Sequence, residues 1–155
     1  MKRGIQFQIP NEYGSFLGEI LKPIKIADYD WFVGGEESYF VVEDTLGDSL
    51  FPDRVMGMAG EELRQIIEDN KYYLIFANLK AYPRGTTIMD IETYEDYAEG
   101  ECQLALLVID SSYVAVYIKD AEKREEMFKH IKRLGYEALD YITDDNDVRD
   151  RLSVW

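Results

Sequence analysis

Near its start the chain alternates Ile5, Phe7 and Ile9 against Gly4, Gln6 and Gln8, the period of a strand with one buried face, and Pro10 with Asn11 ends it. Asn11 is placed to cap the next segment, where Phe16, Leu17, Ile20 and Leu21 recur at helical spacing until Pro23. Gly14 and Gly18 each weaken this helix by about 1 kcal/mol relative to alanine. Either packing compensates, or the glycines admit a close backbone approach. From Trp31 to Val42 the pattern predicts a strand, a turn or bulge at Gly34-Gly35, and a second strand through Tyr39, Phe40, Val41 and Val42, together a hairpin. Residues 46–58 carry Gly47, Pro52, Gly57 and several acids, and read as a loop. A helix follows over 60–70, with Leu63, Ile66 and Ile67 as its buried stripe and Glu61 and Glu62 at the positive end of its dipole.

Residues 72–82 (YYLIFANLKAY) and 103–109 (QLALLVI) are nearly continuous in apolar and aromatic side chains, as central strands covered on both faces are. Leu74, Phe76, Leu106, Val108, Val114 and Val116 are therefore the expected core. Residues 110–112 supply a short turn and 113–118 return as a partner strand. Asp120 then caps a helix with Met127, Phe128, Ile131 and Leu134 inward, ended by Gly135. A strand near 137–142 follows, then a last short helix with Val148, Leu152 and Trp155 on one face. Strand, helix and strand joined by a crossover of this length imply parallel pairing and a right-handed connection if both strands share a sheet. The fold class is α+β: a single mixed, largely antiparallel sheet with three to four helices packed on it, and a C-terminal hairpin-helix-strand-helix. No repeat or linker divides the chain, so residues 1–155 form a single domain.

Charge narrows the partners. Seventeen basic against 31 acidic residues give −14, which repels phosphate backbones and argues against nucleic acid. A basic protein partner, a cation or plain solubility stays open. No run approaches the roughly 18 apolar residues of a membrane span, and the amino terminus lacks an apolar targeting segment. The sole cysteine, Cys102, excludes an intramolecular disulfide and reads as a buried structural thiol. By elimination the expected setting is the cytoplasm.

The search for chemistry returns mostly structural readings. Gly57-Met58-Ala59-Gly60 lacks the lysine of a phosphate loop and leads into two glutamates that would repel a phosphate. Zinc needs converging His and Cys, and His130 and Cys102 are alone of their types. The acids Asp90, Glu92, Glu95, Asp96, Glu99 and Glu101 have no calcium-loop glycine at the right place, and with Tyr94 and Tyr97 between them they read as a solvated face. Asp144, Asp145 and Asp147 lead into the expected last helix, where acids suit the dipole. His130 has no assignable nucleophile to serve. Nothing in the residues calls for a catalytic group, a cofactor or a metal.

What remains is aromatic. Trp31, Gly34, Gly35, Glu36, Glu37 and Tyr39 combine rigid rings, permissive glycines and acids, a composition that suits a recognition surface, although the same rings also suit a sheet core. Arg84, in Pro83-Arg84-Gly85, puts a cation on a loop after a buried strand. Two functions follow as expectations. The first is a non-enzymatic binding or regulatory module, in the manner of an immunity protein, whose acidic surface meets a basic partner. The alternative is a small-molecule binder or acid/base enzyme with a pocket near Gly34–Tyr39, where Glu36 or Glu37 handles protons and Tyr39 or Arg84 orients the ligand.

The opening MKRGIQFQIPNEYG, the LGEILKPI after it and the WFVGGEESY stretch resemble a family of small uncharacterised proteins from Bacillus-like Firmicutes, a domain of unknown function. The resemblance runs over most of the chain. It implies a bacterial cytosolic setting and carries no catalytic residues.

Overall fold

The computed structural model describes residues 1–51, 55–149 and 151–154, and at 35 and 36 the backbone alone. In chain order the elements are β1 (Lys2–Gln8), α1 (Phe16–Ile20), a 3-10 turn (Ile26–Asp28), β2 (Tyr29–Val42), β3 (Thr45–Ser49), β4 (Val55–Ala59), α2 (Gly60–Glu68), β5 (Tyr72–Pro83), α3 (Tyr94–Glu99), β6 (Leu104–Ile109), β7 (Tyr113–Ile118), α4 (Ala121–Leu134) and β8 (Glu137–Thr143). One open sheet holds the strands in the order β3-β2-β5-β6-β7-β1-β8, with β4 also paired to β2, and the fold is α+β.

Every strand pair among the described residues is antiparallel. The expected parallel relation of β7 and β8 holds in direction only, because β1 enters between them and pairs with both. Ile5 and Phe7 thereby sit on an internal strand, one in from the edge, and are buried, as their alternation predicts.

Period two sends alternate rows of side chains to opposite faces. One row, Ile5, Val116, Leu106, Leu79 and Val33, runs across five strands by register and is wholly buried. It faces α1, α2 and α4, whose Leu17, Ile20, Leu63, Ile67, Met127 and Ile131 complete this core. The other face carries Phe32, Tyr82, Ala105, Leu107, Ala115 and Tyr117 under α3 and the C-terminal segment. Two covered faces explain why β6 reads LALLVI without alternation.

Two glycines permit close helix packing. A methyl group on Gly18 would stand 2.7 Å from the Ile67 carbonyl oxygen, and one on Gly60 would stand 2.1 Å from that of Ile26. The conformational cost of Gly18 is thus offset by contact between α1 and α2. α4 obeys its sequence signals: the Asp120 side chain accepts from the Lys123 N–H, and Gly135 closes the helix at φ 78°.

Several expectations fail. Trp31–Val42 is not a hairpin, because β2 is one strand of 14 residues that pairs with β5 along nearly its whole length. The glycine signal marks a bulge, seen as a register shift between Gly34 and Glu37. Much of the expected loop 46–58 is strand, in β3 and β4, and its Pro52 lies outside the described residues; the hairpin turn into β3 is Glu43-Asp44, with φ of 52° and 62°, which lacks the Asn-Gly signature. Asn11 does not cap α1, which starts after Ser15, and its carboxamide oxygen accepts from the Tyr73 hydroxyl instead. Leu134 is exposed rather than inward, and Phe76 is only partly buried. No helix closes the chain among the described residues. Val148 is 96% exposed while Leu152 is fully buried, so they share no face, and Trp155 lies outside the described residues.

Candidate functional site

The residues singled out from sequence lie mostly along β2, and the structure separates them. Trp31 is fully buried, its indole N–H donating to the Ile26 carbonyl at 3.0 Å, so its ring fills the core as that alternative had it. Gly34 borders the bulge and still registers with Asn78; Gly35 and Glu36 belong to β2, but what lies beyond their backbone falls outside what the structure describes. Glu37 is half-buried and registers with Phe76, while Tyr39 pairs with Tyr73 on one side and Ser49 on the other. Arg84 is exposed beyond the opposite end of β5, where Pro83 pairs with Tyr29. The strand between Tyr73 and Pro83 is about 33 Å long at 3.3 Å per residue. Arg84 therefore cannot orient a ligand held at Tyr39.

Opposite the bulge lies a constellation that the sequence reading passed over. Gly34 registers with Asn78 and Phe32 with Lys80, so both polar side chains share the second face with Phe76 and Tyr82. Asn78 is 7% exposed, and its carboxamide oxygen has no hydrogen-bond partner. Lys80 is fully buried; its ammonium donates to the Leu152 carbonyl at 2.7 Å and the Ile91 carbonyl at 3.2 Å, and stands 5.2 Å from the centre of the Phe32 ring. The first bond ties the segment after β8 down onto the sheet, and the second ties the loop before α3. The signal was available in YYLIFANLKAY, where Asn78 and Lys80 interrupt an apolar run two residues apart, the spacing of one strand face.

Nucleophilic chemistry finds no support. Burial pushes the Cys102 thiol up to about 11, against weaker opposing help from Lys80, and the thiol donates to the Leu104 carbonyl at 3.3 Å. His130 lies on α4 beyond the other face of the sheet, its Nε2 2.6 Å from the Glu19 carbonyl oxygen. Base and thiol are on opposite sides. No three metal-binding side chains converge among the described residues, and Glu95, Asp96, Glu99 and Glu101 are exposed around a buried Tyr97, the solvated face expected.

Several grooves indent the surface of the described residues. One of about 450 Å³ lies over the open end of the second face, between the amides of Gln6 and Gln8, the exposed Tyr113 and Arg149. Another of about 630 Å³ runs between α1, the 3-10 turn and α2, with Glu19, Lys22, Arg64 and Glu68 at its rim.

Charge is distributed unevenly. Arg3 pairs with Asp144 and Asp147, Lys2 with Glu125, Arg64 with Glu61 and Arg151 with Glu92, while Lys119, Arg124 and Arg149 donate to backbone carbonyls. Much of the positive charge is thus used internally. Glu43, Asp48, Glu62, Glu95, Asp96, Glu99 and Glu101 stay exposed.

These features define a small α+β protein built on one wide antiparallel sheet, with an acidic exterior and no cluster of metal-binding side chains among its described residues. The chain belongs to the family described as protein of unknown function (DUF2691), which matches residues 2–153. The uncharacterized protein YncE of Bacillus subtilis is 44% identical over 155 residues, which cover 99% of this chain and all of that one. No solved structure matches significantly. No helix among the described residues is long and apolar enough to cross a membrane.

Proposed function

We propose that this protein is a non-enzymatic binding or regulatory module that meets a basic protein partner, in the manner of an immunity protein. The observation that carries the reading is the net charge of −14 joined to the internal use of cations, which leaves exposed carboxylates to set the outer field. Such a field speeds encounter with a basic surface and fades beyond about 10 Å at 0.1 M salt. Affinity capture from a bacterial lysate at low and high salt, with the retained proteins identified, tests it. Basic proteins held at low salt and released at high salt are expected. Acidic partners, or capture indifferent to salt, would sink the reading.

A second reading has one specific observation in its favour. The unbonded carboxamide oxygen of Asn78 beneath the β2 bulge suits a small polar ligand near Gly34 and Glu37, with Glu37 as the acid or base. A thermal-shift screen of wild type against Asn78→Leu discriminates the two. A ligand that raises Tm in the wild type alone supports the pocket; a more stable Asn78→Leu with no ligand response in either protein counts against it.

A further inference from the structure

We infer that the outer edge of β3 is a docking strand, to which an extended Lys- or Arg-bearing segment of a partner protein adds as a further strand of the sheet. The inference rests on the basic-partner reading and says where and how that partner binds. β3 ends the strand order; all five of its residues are exposed, and no described residue pairs with its outer side.

The ladder shows which backbone groups are free. Val42 pairs with Thr45 across the two-residue turn, which makes them a hydrogen-bonded pair, and the next pair, Val41 with Leu46, is then a non-bonded one. Val41 agrees, since its N–H points away from β3 and donates to the Lys71 carbonyl at 3.0 Å. By the same alternation, the N–H and C=O of Leu46 point outward, away from β2. An added strand would meet a donor and an acceptor side by side, with the exposed Leu46 side chain beside them on one face.

Charge selects the occupant. Glu43, Asp44 and Asp48 are exposed around this edge, and the Lys71 ammonium offsets them only through a loose 3.9 Å contact with Asp44. A second copy of this chain would bring the same carboxylates against them, and like charges across a strand pair are destabilising. A basic strand meets no such cost. The opposite edge of the sheet is blunted: β8 carries Ala138 at φ 55° beside a register shift against β1, with Glu137 and Asp140 exposed along it.

Fluorescence anisotropy at low salt tests this with a labelled peptide of alternating lysine and valine, and a second peptide of equal charge in which two valines are replaced by proline. The alternating peptide is expected to bind the wild type and to perturb the backbone amides of residues 45–49 in NMR spectra. The proline peptide should bind about tenfold more weakly, the worth of roughly one main-chain hydrogen bond. Leu46→Pro, which removes the outward N–H, should have a similar effect. Leu46→Lys, a change at an exposed side chain, serves if the proline variant does not fold, and should weaken binding by repulsion. Equal affinity for both peptides, unaffected by either substitution, overturns the docking strand and leaves the basic-partner reading standing. Failure of both peptides to bind overturns both readings, and self-association through β3 seen by sedimentation overturns the choice of occupant.

Discussion

Arg3, in the first strand, donates from Nη1 at 3.1 Å to Asp147, in the segment after the last strand, and so joins the two ends of the chain across the sheet. The Asp147 side chain is 5% exposed and also accepts from the Tyr117 hydroxyl, while the Arg3 guanidinium lies 3.8 Å over the Tyr94 ring and reaches Asp144 at 2.8 Å. Loss of Arg3 would leave a buried carboxylate with the tyrosine and the Arg149 backbone N–H as its remaining donors. Arg3→Ala is therefore expected to cost about 1.5–3 kcal/mol, the range for hydrogen bonds to charged groups. A double-mutant cycle with Asp147→Ala in urea melts checks it, and additive losses would mean that the pair is not coupled.

The core gives a graded expectation. Leu106→Ala, at a fully buried site in the middle of the sheet, should cost about 2–5 kcal/mol, from lost transfer energy and a cavity. Phe76→Ala should cost less than Leu106→Ala, because that ring is only partly buried. Glu95→Ala, on the exposed side of α3, should change stability by less than about 0.5 kcal/mol. Urea midpoints of the three variants give the order.

Alkaline pH should destabilise the fold. Burial raises the Cys102 thiol to about 11 and pushes the Tyr72, Tyr97 and Tyr117 phenols above their usual value, so the folded state holds these protons more tightly than the unfolded chain does. The Cys102 contribution is complete below the unfolded thiol value of about 9 and is lost as pH rises from there towards 11. Thermal melts between pH 7 and 11 should show a falling Tm above pH 9. In the native protein at pH 8 a thiol reagent should label Cys102 only at the rate of opening, whereas prompt labelling would contradict its burial.

The turn before β3 offers a gain. Glu43 and Asp44 both occupy the left-handed region, where a side chain is strained. Replacing the pair by Asn-Gly should stabilise the protein by about 0.5–1 kcal/mol and leave the register of β2 with β3 unchanged. A rise in urea midpoint with unchanged slope is the expected result.

Local pattern alone was enough for the elements whose signals are self-contained. The alternation of Ile5, Phe7 and Ile9 specifies β1, Asp120 and Gly135 bound α4, and the nearly continuous apolar runs specify β5 and β6 as strands covered on both faces. Cys102 as a buried thiol and Glu95 to Glu101 as a solvated face were equally legible, since each follows from its neighbours. Tertiary structure decided the rest. β1 separates β7 from β8 because its two edges satisfy both, a choice between distant segments that no window of sequence contains. Gly34-Gly35 reads as a turn or as a bulge until β5 is seen to pair on both sides of it, and β3 is invisible while its turn is made by Glu43 and Asp44. The candidate site divides the same way. Aromatic and acidic composition pointed to β2, but the distance from Tyr39 to Arg84, the burial of Trp31 and the placing of Asn78 and Lys80 beneath the bulge depend on strand register, which long-range hydrogen bonds set.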